Sequence, residues 1–230
     1  MIPADSRPTG PDTRRPGGVL VRWMLFLAIG LVLYGALYVW SERLVHLHGQ
    51  ANRFFQIAGA PARHHDNVIL GASHAMPLGY GDTRALLEAE SGASLINLSV
   101  EGGGVLPADL LLDYYLSGHT ADRVVLFLDS FTFYSDQWNE VRLADPDLFR
   151  RAPLDQALAA ALFRSPAARP MLPWYLSGFH KINNKKRYAP DVAEAEARFD
   201  RAYRPNPQID RRRVEYLYPG QPDAAVLARY

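Results

Sequence analysis

Short apolar runs alternate with longer amphipathic segments through the middle of this chain. Residues 68–70, 94–100 and 123–129 are apolar and are bounded by turn formers, which predicts three buried strands. The segments between them, residues 82–91 and 107–116, have helical patterns. Strand–helix–strand–helix–strand predicts an α/β fold with a doubly wound parallel sheet. Because the third run is apolar on both faces, we expect a central strand that helices cover.

The ends of the first predicted helix are marked by particular residues. Asp82 is a suitable N-cap, and Gly92 is a suitable stop signal. Leu86 and Leu87 are expected to point inward. Pro107 is expected to open the second helix.

A long apolar segment lies near the amino terminus. Residues 1–20 are rich in Pro, Gly, Arg, Asp and Thr and predict a disordered cytoplasmic tail. No charge interrupts the run from Trp23 to Trp40, and about 18 apolar residues suffice to cross a bilayer. The run is longer than a signal-peptide core and has no small-x-small cleavage site. Residues 21–41 are therefore predicted to be an uncleaved transmembrane anchor, with a buried helix of a soluble protein as the alternative.

Flanking arginines set the predicted orientation. Arginines before the span outnumber those after it: Arg7, Arg14, Arg15 and Arg22 against Arg43 and Arg53. Positive residues stay in the cytoplasm, so everything after the span is expected outside the inner (cytoplasmic) membrane, in a periplasm. Residues 42–65 follow as a juxtamembrane helix, over residues 41–57, and a linker.

An α/β domain is expected to fill residues 66–230. A helical insertion at about residues 131–187 includes an Ala/Leu helix at 154–163. A further helix is predicted at 190–203, and another begins near residue 223. The basic runs at 185–187 and 211–213 predict solvated faces, with contact to anionic glycan or lipid headgroups as the alternative.

Composition excludes several kinds of site. The formal charge is +1, which gives no basic footprint for nucleic acid. The chain has no cysteine, so disulfides and thiolate metal sites are excluded. His46 and His48 do not share one helix face, and neither dinucleotide-binding glycines nor a Gly-Lys-Ser/Thr loop is present. We therefore expect no metal, cofactor or nucleotide.

Three loops are predicted to meet at one edge of the sheet, because the carboxyl ends of parallel strands share an edge. The first loop carries Ser73, which is either a nucleophile or the cap of the next helix. The second carries Gly102 and Gly103, whose bare amides can approach a substrate oxygen. The third supplies the Asp129 carboxylate and the Ser130 hydroxyl.

This order of loops resembles the SGNH (GDSL-type) hydrolase superfamily, in its membrane-anchored envelope branch with a Gly-x-Ser-His block. The resemblance covers roughly residues 66–135. It implies a flavodoxin-like α/β/α sandwich that cleaves or transfers acyl esters, with Ser73 as nucleophile. It also implies that the amides of Ser73 and of Gly102 or Gly103 form the oxyanion hole.

Two blocks depart from the family pattern. Asp129 and Ser130 stand where the family has Gly-x-Asn-Asp, and no histidine has an aspartate three residues before it. The sequence is therefore expected to stop before a fourth and fifth strand and the catalytic Asp-His loop; the alternative is a complete protein that has lost catalysis. His180, on the insertion, is a candidate base that alternatively packs with Trp174 and Phe179. The His74 side chain is expected to diverge from Ser73.

Two functions remain in view. The first is a membrane-anchored acyl-ester hydrolase or O-acyltransferase that acts on envelope or exopolysaccharide glycans. The second is an inactive SGNH-shaped scaffold or glycan-binding component that works with polysaccharide assembly proteins. Aromatic residues of the insertion would then offer stacking surfaces for sugars.

Overall fold

A computed structural model describes residues 16–49, 51–183, 207–218, 220 and 224–229. Its strands are β1 (His64–Leu70), β2 (Leu95–Asn97) and β3 (Thr120–Leu126). Its α-helices are α1 (Pro16–His48), α2 (Arg53–Ala58), α3 (Gly81–Ser91), α4 (Val105–Leu116), α5 (Glu140–Leu143), α6 (Pro146–Phe149), α7 (Gln156–Arg164), α8 (Leu172–Ser177), α9 (Phe179–Ile182), α10 (Pro207–Leu217) and α11 (Ala224–Leu227). Short 3₁₀ turns cover Met76–Gly79, Ser130–Phe133, Asp136–Trp138 and Arg169–Met171.

Helix α1 is long and apolar enough to cross a membrane. The qualifying stretch is Gly18–His48, 31 residues with a mean hydropathy of 2.0 over its most apolar part, none of which is buried in the protein. The helix already begins at Pro16, so residues 16–20 of the predicted tail are helical. Residues 1–15 lie outside the described part of the chain.

The predicted juxtamembrane helix is two helices rather than one. Helix α1 continues to His48. Gly49 follows it and donates an amide hydrogen bond to the Val45 carbonyl at 2.7 Å. Asn52 then caps α2, because its side-chain oxygen accepts hydrogen bonds from two amides of the first turn. Strand β1 begins at His64, two residues before the predicted start of the domain.

The sheet has three parallel strands in the order β2-β1-β3. Val68 is the register partner of Ile96 on one side and of Val124 on the other, and Leu70 is the partner of Leu126. The crossover through α4 returns the chain across β1 to the far edge. An α/β fold with a parallel sheet between helices is confirmed.

The main core lies between the sheet and α4. Val68 and Leu70 point from β1 into it, with exposures of 0% and 2%, and contact a cluster that includes Leu110 and Tyr114 of α4. Helices α2 and α7 pack against α4 from outside. Ile69 points to the opposite face and joins a small cluster with Ala75 and Leu95.

The expectation that helices cover the third strand is wrong. Strand β3 is an edge strand, and its apolar side chains are exposed on both faces: 46% for Val124, 39% for Val125 and 42% for Leu126. Helix α4 contacts β3, and Ala121 packs against the main core, but the later residues Val124 to Leu126 remain exposed. Among the described residues, no strand pairs with the outer edge of β3.

The first crossover helix is only partly as predicted. Helix α3 begins at Gly81 after Tyr80 rather than after an Asp82 cap, and it ends as expected at Gly92, which has φ +64°. Leu86 and Leu87 are exposed, not inward. The helix packs on the turn Met76–Gly79 and meets β2 through Glu88, which accepts a hydrogen bond from the Leu95 amide at 2.9 Å, while both leucines remain in solvent.

Some of the elements predicted after the third strand lie in the described residues, and others lie outside them. Helical structure follows the third strand as expected, with Asp155 capping α7, and α11 matches the predicted start of a helix. Arg211, Arg212 and Arg213 lie exposed on α10. The predicted helix at 190–203 and the basic run at 185–187 lie outside the described residues.

Candidate functional site

Gly71 turns the chain sharply where β1 ends. Its φ of +154° is a conformation that side-chain-bearing residues rarely adopt. A Cβ at this position would lie 2.9 Å from the Phe127 Cβ and 3.0 Å from the Phe127 carbonyl oxygen. The next residue, Ala72, is buried against Phe131 and Trp138, and this leaves Ser73 and His74 exposed at the rim.

The second loop lies directly beside the first. The amide of Val100 donates to the Gly71 carbonyl at 3.0 Å. Gly103 then donates its amide to the Val100 carbonyl at 3.0 Å, so this predicted oxyanion donor is already occupied. The Gly102 amide donates no hydrogen bond within the described part of the chain, and Gly102 is held at φ +63° against the Trp138 ring. Gly102 is therefore the glycine whose amide is free for a ligand.

The third loop completes the same rim. The Phe127 amide donates to the Leu70 carbonyl at 2.8 Å. Two residues later, the Asp129 Oδ1 lies 2.8 Å from the His74 Nδ1. The other carboxylate oxygen, Oδ2, is buried and has no hydrogen-bond partner among the described residues. Ser130 shares a short hydrogen bond with the Tyr218 hydroxyl and so faces the end of α10.

The pairing of His74 with Asp129 defines which ring nitrogen is available for chemistry. A carboxylate at Nδ1 holds the proton there and leaves Nε2 as the basic atom. The imidazole side chain is 66% exposed, whereas that of Asp129 is 23% exposed, so the ring faces solvent and the carboxylate supports it from below. The Ser73 hydroxyl forms no hydrogen bond with any described residue.

The candidate base His180 does not join this rim. It lies on α9 and packs against Trp174 and Phe179, with ring centroids 5.3 Å and 6.0 Å away. Helix α9 in turn packs on α1. His65, near the start of β1, and His119, just before β3, are buried at the amino edge of the sheet.

His74 was missed as a partner because its side chain was expected to diverge from Ser73. The sequence did contain a signal for this pairing, because the loops after the first and third strands were both assigned to the same edge of the sheet. In the observed register, Leu70 lies beside Leu126, so residues shortly after each strand become neighbours. A histidine in the first loop and an aspartate in the third then meet.

A cleft of about 500 Å³ lies next to Gly102. Its walls carry Glu101, Gln137, Trp138, Tyr216 and the ion-paired Arg142. Trp138 is only 4% exposed, with its Nε1 donating to the Leu217 carbonyl at 3.1 Å, so its ring faces inward. The other aromatic residue that lines this cleft, Tyr216, is exposed; it lies on α10, outside the insertion whose aromatics were predicted to stack on sugars.

Two further features lie away from the rim. A cavity of about 390 Å³, lined by Arg53, His65 and Arg84 among others, contains no residue of the three loops. His64, Asp66 and Asp122 place possible metal-ligand atoms within 4.8 Å of one another at the amino edge of the sheet. His64 Nε2 lies 3.7 Å from the Asp122 carboxylate, so these groups also form an ordinary surface ion cluster.

Comparison of the chain with models of protein families, with curated proteins and with solved structures finds no match.

Proposed function

We propose that this chain is a membrane-anchored serine acyl-ester hydrolase or O-acyltransferase of SGNH type that acts on acylated glycans outside the cytoplasmic membrane. The observation that carries the proposal is the composition of one rim. An exposed serine hydroxyl, a histidine oriented by a partly buried carboxylate and an unoccupied glycine amide come from three loops that are hydrogen-bonded to one another.

The proposed reaction is an acyl transfer through a covalent intermediate. The Ser73 Oγ attacks the acyl carbon while His74 Nε2 accepts the hydroxyl proton. Asp129 holds the His74 ring, whereas the Ser73 hydroxyl is exposed and bonded to no described residue, so in the proposed reaction Ser73 rotates toward Nε2 when an ester is bound. Collapse of the tetrahedral intermediate breaks the ester C–O bond, and His74 returns the proton to the leaving glycan oxygen. Water or an acceptor hydroxyl then attacks the acyl-serine and regenerates Ser73.

Backbone amides stabilise the negative oxygen of the intermediate. The Gly102 amide donates to no described acceptor, and neither does the amide of Ser73. Such donors are effective because they are fixed before the reaction begins. Asp129 supports the imidazolium that forms at His74, at a distance of 2.8 Å.

The glycan preference rests on the cleft beside Gly102. Glu101, Gln137 and the Arg142–Asp145 pair offer donors and acceptors for sugar hydroxyls, and Tyr216 offers an exposed ring. The strand order β2-β1-β3 agrees with the start of a flavodoxin-like sheet. Helix α1, with arginines concentrated before its apolar run, supports a single-pass anchor with the domain outside.

A fluorophosphonate probe tests the nucleophile. The purified protein in detergent should be labelled at Ser73, and Ser73→Ala should abolish labelling. Ser91→Ala, at the exposed end of α3, is the matched control and should label normally. Labelling of Ser73→Ala at the wild-type rate would remove the nucleophile from the proposal.

A second candidate function is a non-catalytic glycan-binding component. It is favoured by the absence of a hydrogen bond from the Ser73 hydroxyl to any described base. Glycan binding that survives Ser73→Ala, together with a wild-type protein that releases no acyl group from acetylated polysaccharide, would select this function. Loss of binding in Tyr216→Ala would then locate the glycan in the cleft.

A further inference from the structure

The connection between α8 and α9 is attached directly to the apolar part of α1. The Tyr34 hydroxyl donates to the Ser177 carbonyl at 2.8 Å. One residue later, Gly178 lies so close to the Tyr38 ring that a Cβ there would be 2.2 Å from Tyr38 Cε2. Residues 172–182 therefore form a hairpin, here called the α8–α9 hairpin, that is fixed against the span.

The position of this contact along α1 gives its depth. The uncharged run ends at Trp40, six residues after Tyr34. At a rise of 1.5 Å per residue, Tyr34 lies about 9 Å toward the bilayer centre from Trp40. Tryptophan prefers the membrane interface, so Trp40 marks that boundary. The Ser177 carbonyl consequently lies at the depth of the outer acyl chains.

The hairpin has the surface that this depth requires. Residues 172–179 read Leu-Pro-Trp-Tyr-Leu-Ser-Gly-Phe and carry no charge. Trp174, Leu176 and Phe179 are exposed by 48%, 48% and 44%. The charged residue that follows, Lys181, is only 4% exposed and pairs with Glu42 of α1 at 2.5 Å. The turn of the hairpin therefore has an apolar surface, and the Lys181 charge beside it is neutralised by Glu42.

Several backbone carbonyls of the turn accept hydrogen bonds within the protein. The Trp174 carbonyl accepts from the Ser177 hydroxyl at 3.0 Å, and the Tyr175 carbonyl accepts from the Gly178 amide at 3.2 Å. The Gly178 carbonyl accepts from the Ile182 amide at 3.0 Å. In hydrocarbon an unpaired backbone group is strongly unfavourable, so these bonds make the turn compatible with insertion.

We propose that the α8–α9 hairpin inserts into the outer leaflet of the membrane beside α1, as a second attachment of the domain to lipid. The inference rests on the proposed membrane anchor. Trp174, Leu176 and Phe179 contact acyl chains and the interface. Two attachments, the span and the hairpin, fix the orientation of the domain. The sheet edge that carries Ser73 is then held at a fixed orientation to the membrane surface.

The lack of cysteine makes single-cysteine labelling a direct test. Three exposed leucines are replaced one at a time in the full chain: Leu33→Cys in the span, Leu176→Cys in the hairpin and Leu86→Cys on α3. Each variant is labelled with an environment-sensitive fluorophore and reconstituted in phosphatidylcholine–phosphatidylglycerol vesicles. Quenching is measured with aqueous iodide and with nitroxide-labelled lipid.

Residue 176 is expected to behave like residue 33, with iodide quenching several-fold weaker than at residue 86 and strong quenching by the lipid nitroxide. Iodide quenching at 176 equal to that at 86, with 33 still protected, would overturn the hairpin insertion and leave the anchor intact. Iodide access at 33 would instead remove the anchor itself, and the hairpin insertion with it. Phe179→Cys repeats the measurement at a second hairpin position.

Discussion

At the scale of single residues, Asp129 has the most unusual environment of the candidate site. One carboxylate oxygen bonds His74, while the other is buried without a partner among the described residues. A buried acceptor without a donor is unfavourable for folding. The arrangement is consistent with a group retained for its charge beside His74 rather than for stability.

Replacing Asp129 with asparagine tests this role. Asp129→Asn keeps the size of the side chain and removes the charge that stabilises protonated His74. If His74 acts as the base, the rate of fluorophosphonate labelling at Ser73 should fall by about 10²- to 10⁴-fold. Asp122→Asn, an exposed carboxylate at the amino end of β3, is the control and should label at the wild-type rate. Equal labelling of the two variants would contradict the pairing as a catalytic element.

Alanine substitutions at Gly71 and Gly92 distinguish the cost of backbone strain from the cost of a steric clash. At Gly92, with φ +64°, nothing lies within 4 Å of an added Cβ, so Gly92→Ala should cost about 1 kcal/mol. At Gly71 the added Cβ would also meet Phe127 at 2.9 Å. We expect Gly71→Ala to cost roughly 2–6 kcal/mol, since strain and overpacking each contribute about 1–3 kcal/mol. Denaturant unfolding of both variants in detergent measures the difference, and equal losses would mean that the first loop relaxes.

At the scale of elements, sequence patterns located the strands better than their ends. The third strand was expected at residues 123–129, but its ladder runs from Thr120 to Leu126. Apolarity marks the side chains that avoid water, whereas the ladder is set by the partner strand, and β1 already begins at His64. Polar Thr120 belongs to the ladder because it pairs with His64 of β1, and no pattern local to the third run records this pairing.

The candidate site was predictable to the level of loops but not of side chains. Parallel strands placed Ser73, Gly102 and Asp129 at one edge, and the structure brings those loops together. Which amides and side chains of these loops are available for a ligand depends on the backbone geometry and on the strand register. Gly103 is occupied because its amide turns back to Val100, and His74 reaches Asp129 because of the register. Neither fact follows from residue type.

Leu70 and Leu126 are a matched pair that tests the exposure of β3. They are register partners on adjacent strands, yet Leu70 is 2% exposed and Leu126 is 42% exposed. Leu70→Ala should lower the free energy of unfolding by about 2–5 kcal/mol, as a buried cavity does. Leu126→Ala should lower it by about 1 kcal/mol, because much of that side chain is already in water. Equal losses in chemical unfolding would show that something covers β3.

At the scale of the whole molecule, two buried histidines join the amino ends of β1 and β3 to Tyr115, near the carboxyl end of α4. The Tyr115 hydroxyl donates to the Thr120 carbonyl at 2.9 Å, so it accepts its second bond from His65 Nδ1, also at 2.9 Å. His119 stacks on the Tyr115 ring, and its Nε2 is buried without a described partner. A proton added to His119 Nε2 would have no acceptor among the described residues.

Global stability should therefore decrease in acid. Burial lowers the pKa of His65, with Arg84 acting in the same direction, and burial also lowers the pKa of His119. The unfolded chain takes up these protons below about pH 6.5, before the folded state does, so it binds more protons and the free energy of unfolding falls as the pH falls. The loss is at most about 1.4 kcal/mol per pH unit for each histidine, and it ends below the folded pKa.

Chemical unfolding in detergent between pH 8 and 5 measures how the free energy of unfolding depends on pH. His65→Gln and His119→Gln should each make this dependence weaker. His46→Gln, on the exposed side of α1, is the control. An unchanged slope in the double variant would assign the acid sensitivity to other groups.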